Sequence, residues 1–284
     1  MKSEKRNADW NLIACAAIIG AIAPIAVLAM LWFIGLESKA FFGDHGWRDL
    51  LALDWRPVAA SYGLAPLVTA TFEMAAIATG LSVLFGIPAA VRLVFFAGDR
   101  ESLVCQAALG AMAGLPSVIV GLAGLTLLVP AMGFTMISGA ATLFVMIFPV
   151  FTLLVAAALR QEGDRLRPCG YALGYSRRDF VYRIVLRAVL PSIILAATLG
   201  LGKAMGEATA VSLVIGNISA GVLPDLFGPA NTLTTAILKD HAAATGAHLS
   251  ALYVAATTLS VLILTLNLLG AGLARAVRRR LSLS

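Results

Sequence analysis

Two ionisable residues stand four positions apart in an apolar run near the end of the chain, in the stretch LGKAMGEATAVSLVIGN from Leu201 to Asn217. They are Lys203 and Glu207. On a continuous helix that spacing puts both on one face. An isolated charge at mid-bilayer costs at least about 2.5–3.5 kcal/mol on insertion scales, so such a pair belongs against protein or a water-filled path. Lys203 offers three N–H donors to an anion. Glu207 can hold that ammonium when the anion is absent and repels a dianion when ionised. Two readings fit: a transient anion contact along a conduit, joined by the hydroxyl of Thr209, or a structural ion pair between helices. Glu73 is the other lone charge in an apolar run, in TATFEMAAIA. Its neighbours offer no partner. It pairs with Lys203 or lies near the outer end of its helix.

A second feature is a charged island, RQEGDRLRPCGYALGYSRRDFVYRIVLRAVLP, from Arg160 to Pro191. It is too short for a core of its own. Gly174 reads as a tight turn between two short helices. After it, Phe180, Val181, Ile184, Val185 and Ala188 recur at helical spacing and give one apolar face. A folded loop between apolar runs is a surface on which a soluble partner can push.

The elements that must position these residues are membrane helices. Hydrophobic residues form 60% of the chain and charged residues 13%, against about a quarter charged in soluble domains. Six runs approach or exceed the roughly 20 residues that cross a bilayer: about Leu12–Leu36, Ala65–Phe96 with Pro88, Leu103–Val129 with Pro116, Met136–Leu159 with Pro149, Pro191–Gly216 and Leu252–Val277. With no water to satisfy the backbone, helices are the expected form. The fold class is an all-α membrane protein, a polytopic bundle of about six transmembrane helices in a single domain over 1–284. The small residues Gly110, Gly114, Gly121 and Gly124 suit close helix contact.

Orientation follows from Lys and Arg. Sixteen of the 21 basic residues fall at the N-terminus, between the second and third runs, in the island and at the C-terminus. Lys39, Arg48, Arg56 and Lys239 fall on the other side. Both termini and the island are therefore expected in the cytoplasm, with 36–64 and 217–250 outside. The first run is longer than a signal peptide's 7–15 apolar residues, so it is expected to be retained. The basic residues sit in short separate segments and do not point to nucleic acid. Cys15, Cys105 and Cys169 have no paired spacing. His45, His241 and His248 are scattered and read as loop histidines. No P-loop, HExxH or nucleophile elbow is present, so the expectation is no cofactor, no metal, no catalytic residue and no enzyme activity.

The island resembles the cytoplasmic loop of ABC importer permeases, which runs EAA, then a Gly four residues after the second Ala, then an apolar stretch ending in Leu-Pro. Gly174 matches the glycine and Leu190-Pro191 the closing pair. The EAA positions fall on Pro168, Cys169 and Gly170, and all three depart. Within that superfamily the chain is similar to phosphate permeases of the PstC kind. GLPSVIVGLAGLTLLVP (Gly114–Pro130), LGKAMGEATAVSLVIGN and NTLTTAI (Asn231–Ile237) carry the likeness, which runs from about Ala65 to Leu269 inside a core of 65–277. The family has Arg at the position of Lys203 and Thr at that of Ala208.

The resemblance implies a type I ABC importer permease fold and a multi-pass subunit of a bacterial inner membrane that moves inorganic phosphate. It implies a second permease chain of the PstA kind, two separate ATPase subunits and a periplasmic phosphate-binding protein that contacts 217–250. It makes 160–191 the coupling loop, with Tyr171, Gly174, Tyr175, Ser176, Arg177 and Phe180 as the ATPase contact. The alternatives are a permease for phosphonate, sulfate or molybdate, or a proton-coupled secondary transporter built on Glu73, Glu207 and Lys203. Inverted repeats and broken helices would mark the latter.

Overall fold

The computed structural model describes residues 20, 22, 24–218 and 225–283. The start of the first run, Cys15 and the basic residues of the N-terminus lie outside them. Four helices are long and apolar enough to span a membrane: Pro24–Gly43, Ala65–Phe96, Met136–Ala172 and Gly246–Leu281. Two further spans are bent pairs, Asp99–Ala113 with Ser117–Leu127 at 94°, and Arg177–Ala188 with Leu190–Gly206 at 61°. Counting each bent pair as one span, the described residues hold up to six, in line with the six expected runs, the first of which is described only in part.

The third run differs most from expectation. It turns through a near right angle at Gly114–Pro116, because Pro116 disfavours the helical conformation in the residue before it and lacks an N–H. Pro88 and Pro149 stay inside continuous helices. The island does not begin with a separate short helix. The fourth span runs unbroken from Met136 to Ala172, through Pro168, and ends at the Gly174 turn.

Close approach of small residues builds the bundle. Gly86 on the second span faces the Phe151 ring, and a Cβ there would lie 2.6 Å from it. A Cβ on Gly139 would lie 2.6 Å from the Met74 sulfur. Gly121 and Gly124, after the bend, do what their spacing suggests: a Cβ would come 2.7 Å from the Ala210 backbone and 2.7 Å from Thr142 respectively. Gly110 faces open space and Gly114 meets only its own turn, so neither makes the expected helix contact. The core combines Ala70, Met74, Ala78, Leu143, Ile147, Phe151, Val155 and Leu159 with Val181 and Val185 of the island.

The two ends of the bundle are distinct. At one end Phe41, Trp55, Tyr62 and Leu67 pack with Leu233, Ala236, Ala251 and Leu252 in a second cluster. A two-stranded hairpin, Trp55–Arg56 with Ser61–Tyr62, belongs to it. His45 meets the Tyr62 ring edge-on with centroids 5.4 Å apart, and His248 stacks on it at 6.2 Å. At the other end Arg92 pairs with Glu101, Arg177 lies 5.6 Å over the Phe96 ring, and Gly163 lies against Phe95. The segments read as outside thus share one end, and the cation-rich segments share the other. A cysteine at Ser176 and one at Ala242, in a chain whose three native cysteines are replaced, should label from opposite sides of intact cells. Labelling of Ser176→Cys from outside would reverse the orientation read from the basic residues.

Candidate functional site

The helix that carries Lys203 ends at Gly206, where the absence of a side chain lowers helix propensity. Glu207 is extended, with φ −78° and ψ 117°. Lys203 and Glu207 therefore do not share a helix face, and among the described residues no ion pair joins them. The carboxylate turns forward instead: its Oε1 accepts the Ala210 N–H at 3.1 Å and so satisfies one free N–H in the first turn of the short helix Thr209–Ser212, whose N-cap position is Ala208. The Glu207 carbonyl accepts the Thr234 hydroxyl at 3.1 Å. Thr209 opens that short helix, half-buried, and its carbonyl accepts the Ser212 hydroxyl at 2.9 Å.

Beyond the short helix the chain turns through Gly216 and Asn217, with φ of 86° and 54°. The Asn217 amide donates to the Ser212 carbonyl at 2.7 Å. A Cβ on Gly216 would stand 2.9 Å from Pro229, so this glycine is needed for both its φ and its space. The start of the helix Leu233–Asp240, with Asn231 and Thr232 before it, closes over the same break. Thr232 and Thr235 form a reciprocal capping box, and the Leu233 N–H donates to the buried Thr71 hydroxyl of the second span at 3.0 Å. Apart from Thr71, this buried threonine set falls in Asn231–Ile237, a stretch that carries the family likeness but whose hydroxyls had no role assigned from sequence. Its signal was the run Asn-Thr-Leu-Thr-Thr, whose hydroxyls cap better than they continue a helix.

Lys203 is exposed on a stripe with Leu195 and Leu199, beside an apolar cavity of about 160 Å³ lined by Ile147, Val150, Phe151 and Leu154. It lies about 20 Å along the helix from Leu190 at 1.5 Å per residue. Glu73 is also exposed, and among the described residues it has no ion pair with Lys203. The two charges stay separate.

At the opposite end Gly174, with φ 75°, closes the fourth span in a Schellman motif. The Tyr175 N–H donates to the Gly170 carbonyl at 3.3 Å and the Gly174 N–H to the Tyr171 carbonyl at 3.0 Å. Ser176 caps the next turn through the Asp179 N–H at 3.1 Å. Tyr171, Leu173 and Tyr175 are exposed around the turn, as are Ser176 and Arg177. Phe180, expected as a contact residue, is 1% exposed. It packs against Tyr171 and over Gly170, where a Cβ would fall well inside van der Waals contact with the ring. The departure at Gly170 thus makes room for Phe180, and Leu173, not named from sequence, takes its place at the surface.

A bundle of broken apolar helices, a lone intramembrane cation and a knob-like loop at the cation-rich end define a multi-pass transport subunit. The chain belongs to the binding-protein-dependent transport system inner membrane component family, whose model matches residues 11–283; it is a multi-pass inner-membrane protein. It is 32% identical over 237 residues to the probable ABC transporter permease protein YqgH of Bacillus subtilis, covering 80% of this chain and 76% of that protein. It is 27% identical to the phosphate transport system permease protein PstC of Xylella fastidiosa, covering 89% and 85%. It is 27% identical to the phosphate transport system permease protein PstA 1 of Mycobacterium tuberculosis, covering 91% and 86%. Its fold matches an inward-facing structure of the MetNI methionine ABC transporter with a TM-score of 0.63 at 18% identity, over 78% of this chain and 99% of that one. The fold is the type I ABC importer permease fold.

Gly170→Ala should lower the stability of the protein by about 1–3 kcal/mol, the usual cost of overpacking, and should be rescued in part by Phe180→Leu. Gly174→Ala has open space for its Cβ and should cost only the left-handed backbone penalty of roughly 1–2 kcal/mol. Thermal melting of the detergent-solubilised protein checks both.

Proposed function

We propose that this chain is one permease half of an ATP-driven importer that moves inorganic phosphate inward. The observation that carries the reading is Lys203, an ammonium without an ion pair among the described residues, on an exposed apolar stripe within the span. Such a residue is costly against lipid. It is accommodated when a second permease chain covers the stripe and leaves a wet path beside the ammonium. The family and the PstC- and PstA-type relatives support both the second chain and the anion. Glu207 fixes the break in the span through its bond to the Ala210 N–H, and Thr209 lies next to it. Glu73 keeps only the outer-end reading.

ATP hydrolysis belongs to separate ATPase subunits. They dock on the exposed Tyr171, Leu173, Tyr175, Ser176 and Arg177 of the loop 160–191, with Gly174 as its turn and Phe180 as its buried anchor. A periplasmic binding protein delivers the anion to the end formed by 36–64 and 217–250. Both termini are cytoplasmic, and the whole chain forms one domain. Broken helices, which a secondary transporter would share, are accounted for here by the family and its fold. The Lys at position 203 keeps other oxyanions as the comparison for a competition assay.

Lys203→Gln should abolish uptake of radiolabelled phosphate in vesicles containing the full transporter while ATPase binding persists. Lys203→Arg should keep or raise uptake, because the guanidinium fork matches phosphate oxygens. Glu207→Gln retains an oxygen that accepts from Ala210 and should keep most activity, whereas Glu207→Ala should lose it with that bond. Normal phosphate uptake by Lys203→Gln would sink the pathway assignment. Excess sulfate or molybdate that competes as well as phosphate would overturn the substrate. In a parallel test, Gly174→Val forces a β-branched residue into the left-handed turn and should uncouple ATP hydrolysis from uptake without preventing membrane insertion.

A further inference from the structure

A polar cavity of about 380 Å³ opens at the island end of the molecule, lined by Glu162, Arg165, Pro191, Ser192 and Arg278, among others. Three segments meet there: the extension of the fourth span, the 61° bend that joins the island to the fifth span, and the C-terminal helix. The cavities beside Lys203 and beneath Arg92 have almost wholly apolar walls. This one does not.

Its polar groups are nearly all donors. The Glu162 carboxylate accepts from Arg165 at 2.8 Å through Nε and lies 2.6 Å from its Nη2, which leaves Nη1 of Arg165 unused by this pair. Arg278 has no ion pair or hydrogen bond among the described residues. Ser192 is the informative residue. Many hydroxyls in the spans donate to the carbonyl four residues back, as in Ser82 to Ala78 at 2.8 Å, Thr152 to Phe148 at 2.6 Å, Thr198 to Ile194 at 2.7 Å and Ser260 to Ala256 at 2.8 Å, whereas Thr79 has no partner but is buried among apolar side chains. The equivalent acceptor for Ser192 is the carbonyl of Ala188, which lies across the bend at Val189 (φ −89°, ψ −2°). Ser192 makes no such bond, and its hydroxyl is left without a partner among the described residues.

We infer that this cavity is a binding site for a phosphate-type oxyanion, held by Arg278, the free edge of Arg165 and the Ser192 hydroxyl. Guanidinium groups and a hydroxyl match the several acceptor oxygens of such an anion. The bound anion ties the fourth span, the hinge of the fifth and the C-terminal helix together. The chemistry fits free inorganic phosphate and the headgroup of an acidic phospholipid, since the cavity lies where the fourth, fifth and C-terminal spans pass into the cation-rich end. The site is separate from Lys203, about 17 Å further along the same helix, and its binding does not depend on what the transporter carries. That the anion comes from the cytoplasm rests on the proposed orientation.

The test uses the assembled transporter in nanodiscs and reads hydrogen–deuterium exchange of 186–192 and 275–281. In phosphatidylcholine discs, inorganic phosphate is added against chloride at matched ionic strength. In a second set, phosphatidylglycerol is included and phosphate left out. Protection by phosphate in the first set assigns a free anion; protection only in the second assigns a lipid headgroup. In either case Arg278→Gln should weaken the half-saturating concentration about tenfold, as expected for one lost charge-assisted hydrogen bond, and Ser192→Ala should weaken it less. Glu162→Gln removes the one negative charge in the wall and should tighten it. Lys203→Gln should leave the protection unchanged, which separates this site from the transport path. No protection in either set, or protection indifferent to Arg278→Gln, would overturn the inference.

Discussion

Every backbone N–H and C=O in a membrane must find a partner within the protein, because hydrocarbon offers none. That constraint explains where this chain is helical and, more usefully, how it is allowed to stop being helical. At Glu207 the helix ends within the apolar run, and the next residues would leave donors and acceptors unmet. Glu207 meets one with its carboxylate, on Ala210. Thr234 meets another, on the Glu207 carbonyl. Asn217 meets a third, on the Ser212 carbonyl. A group read first as a transport residue is thus also a structural one, since it meets a free N–H at the start of the short helix that follows.

Breaks also need space. The bent third span can lay Ser117–Leu127 against the short helix Thr209–Ser212 because Gly121 and Gly124 present no side chain there. The same economy holds Phe180 over Gly170 and Phe151 over Gly86. Without a strong hydrophobic drive between helices in lipid, such close van der Waals contact and interhelical hydrogen bonds do the joining. The small residues and the broken helices are therefore one feature, since neither is stable without the other.

The spans and the Gly174 turn were legible in sequence because long apolar runs and a positive-φ glycine leave unambiguous marks. The pairing of Lys203 with Glu207 was not, because spacing speaks of a shared face only while the helix lasts. Gly206 was the available sign that it does not. Gly170 and Phe180 show the same limit from another side. A departure from a family pattern at position 170 and an apolar residue at position 180 looked unrelated in sequence. Only packing makes one the socket for the other, and it moves Phe180 from the surface to the core. The separate places of Glu73 and Lys203 are likewise a matter of helix rotation, which no local pattern states.

The two ends of the molecule are joined to the middle by different means. At the end that holds the Trp55–Tyr62 hairpin the helix Leu233–Asp240 is tied by hydroxyls, through Thr71 to the second span and through Thr234 to the break at Glu207. A displacement of that helix acts on the break directly, four residues from Lys203. At the cation-rich end the loop is tied by apolar packing of Phe180, Val181 and Val185 into the main core, and the exposed turn at Gly174 stands at the end of a continuous 37-residue helix. A push on that turn moves a rigid rod that reaches the other side of the membrane. Directional hydrogen bonds transmit position at one end, and a stiff lever transmits force at the other. This division fits the proposed function, in which one end meets a delivered ligand and the other responds to a motor.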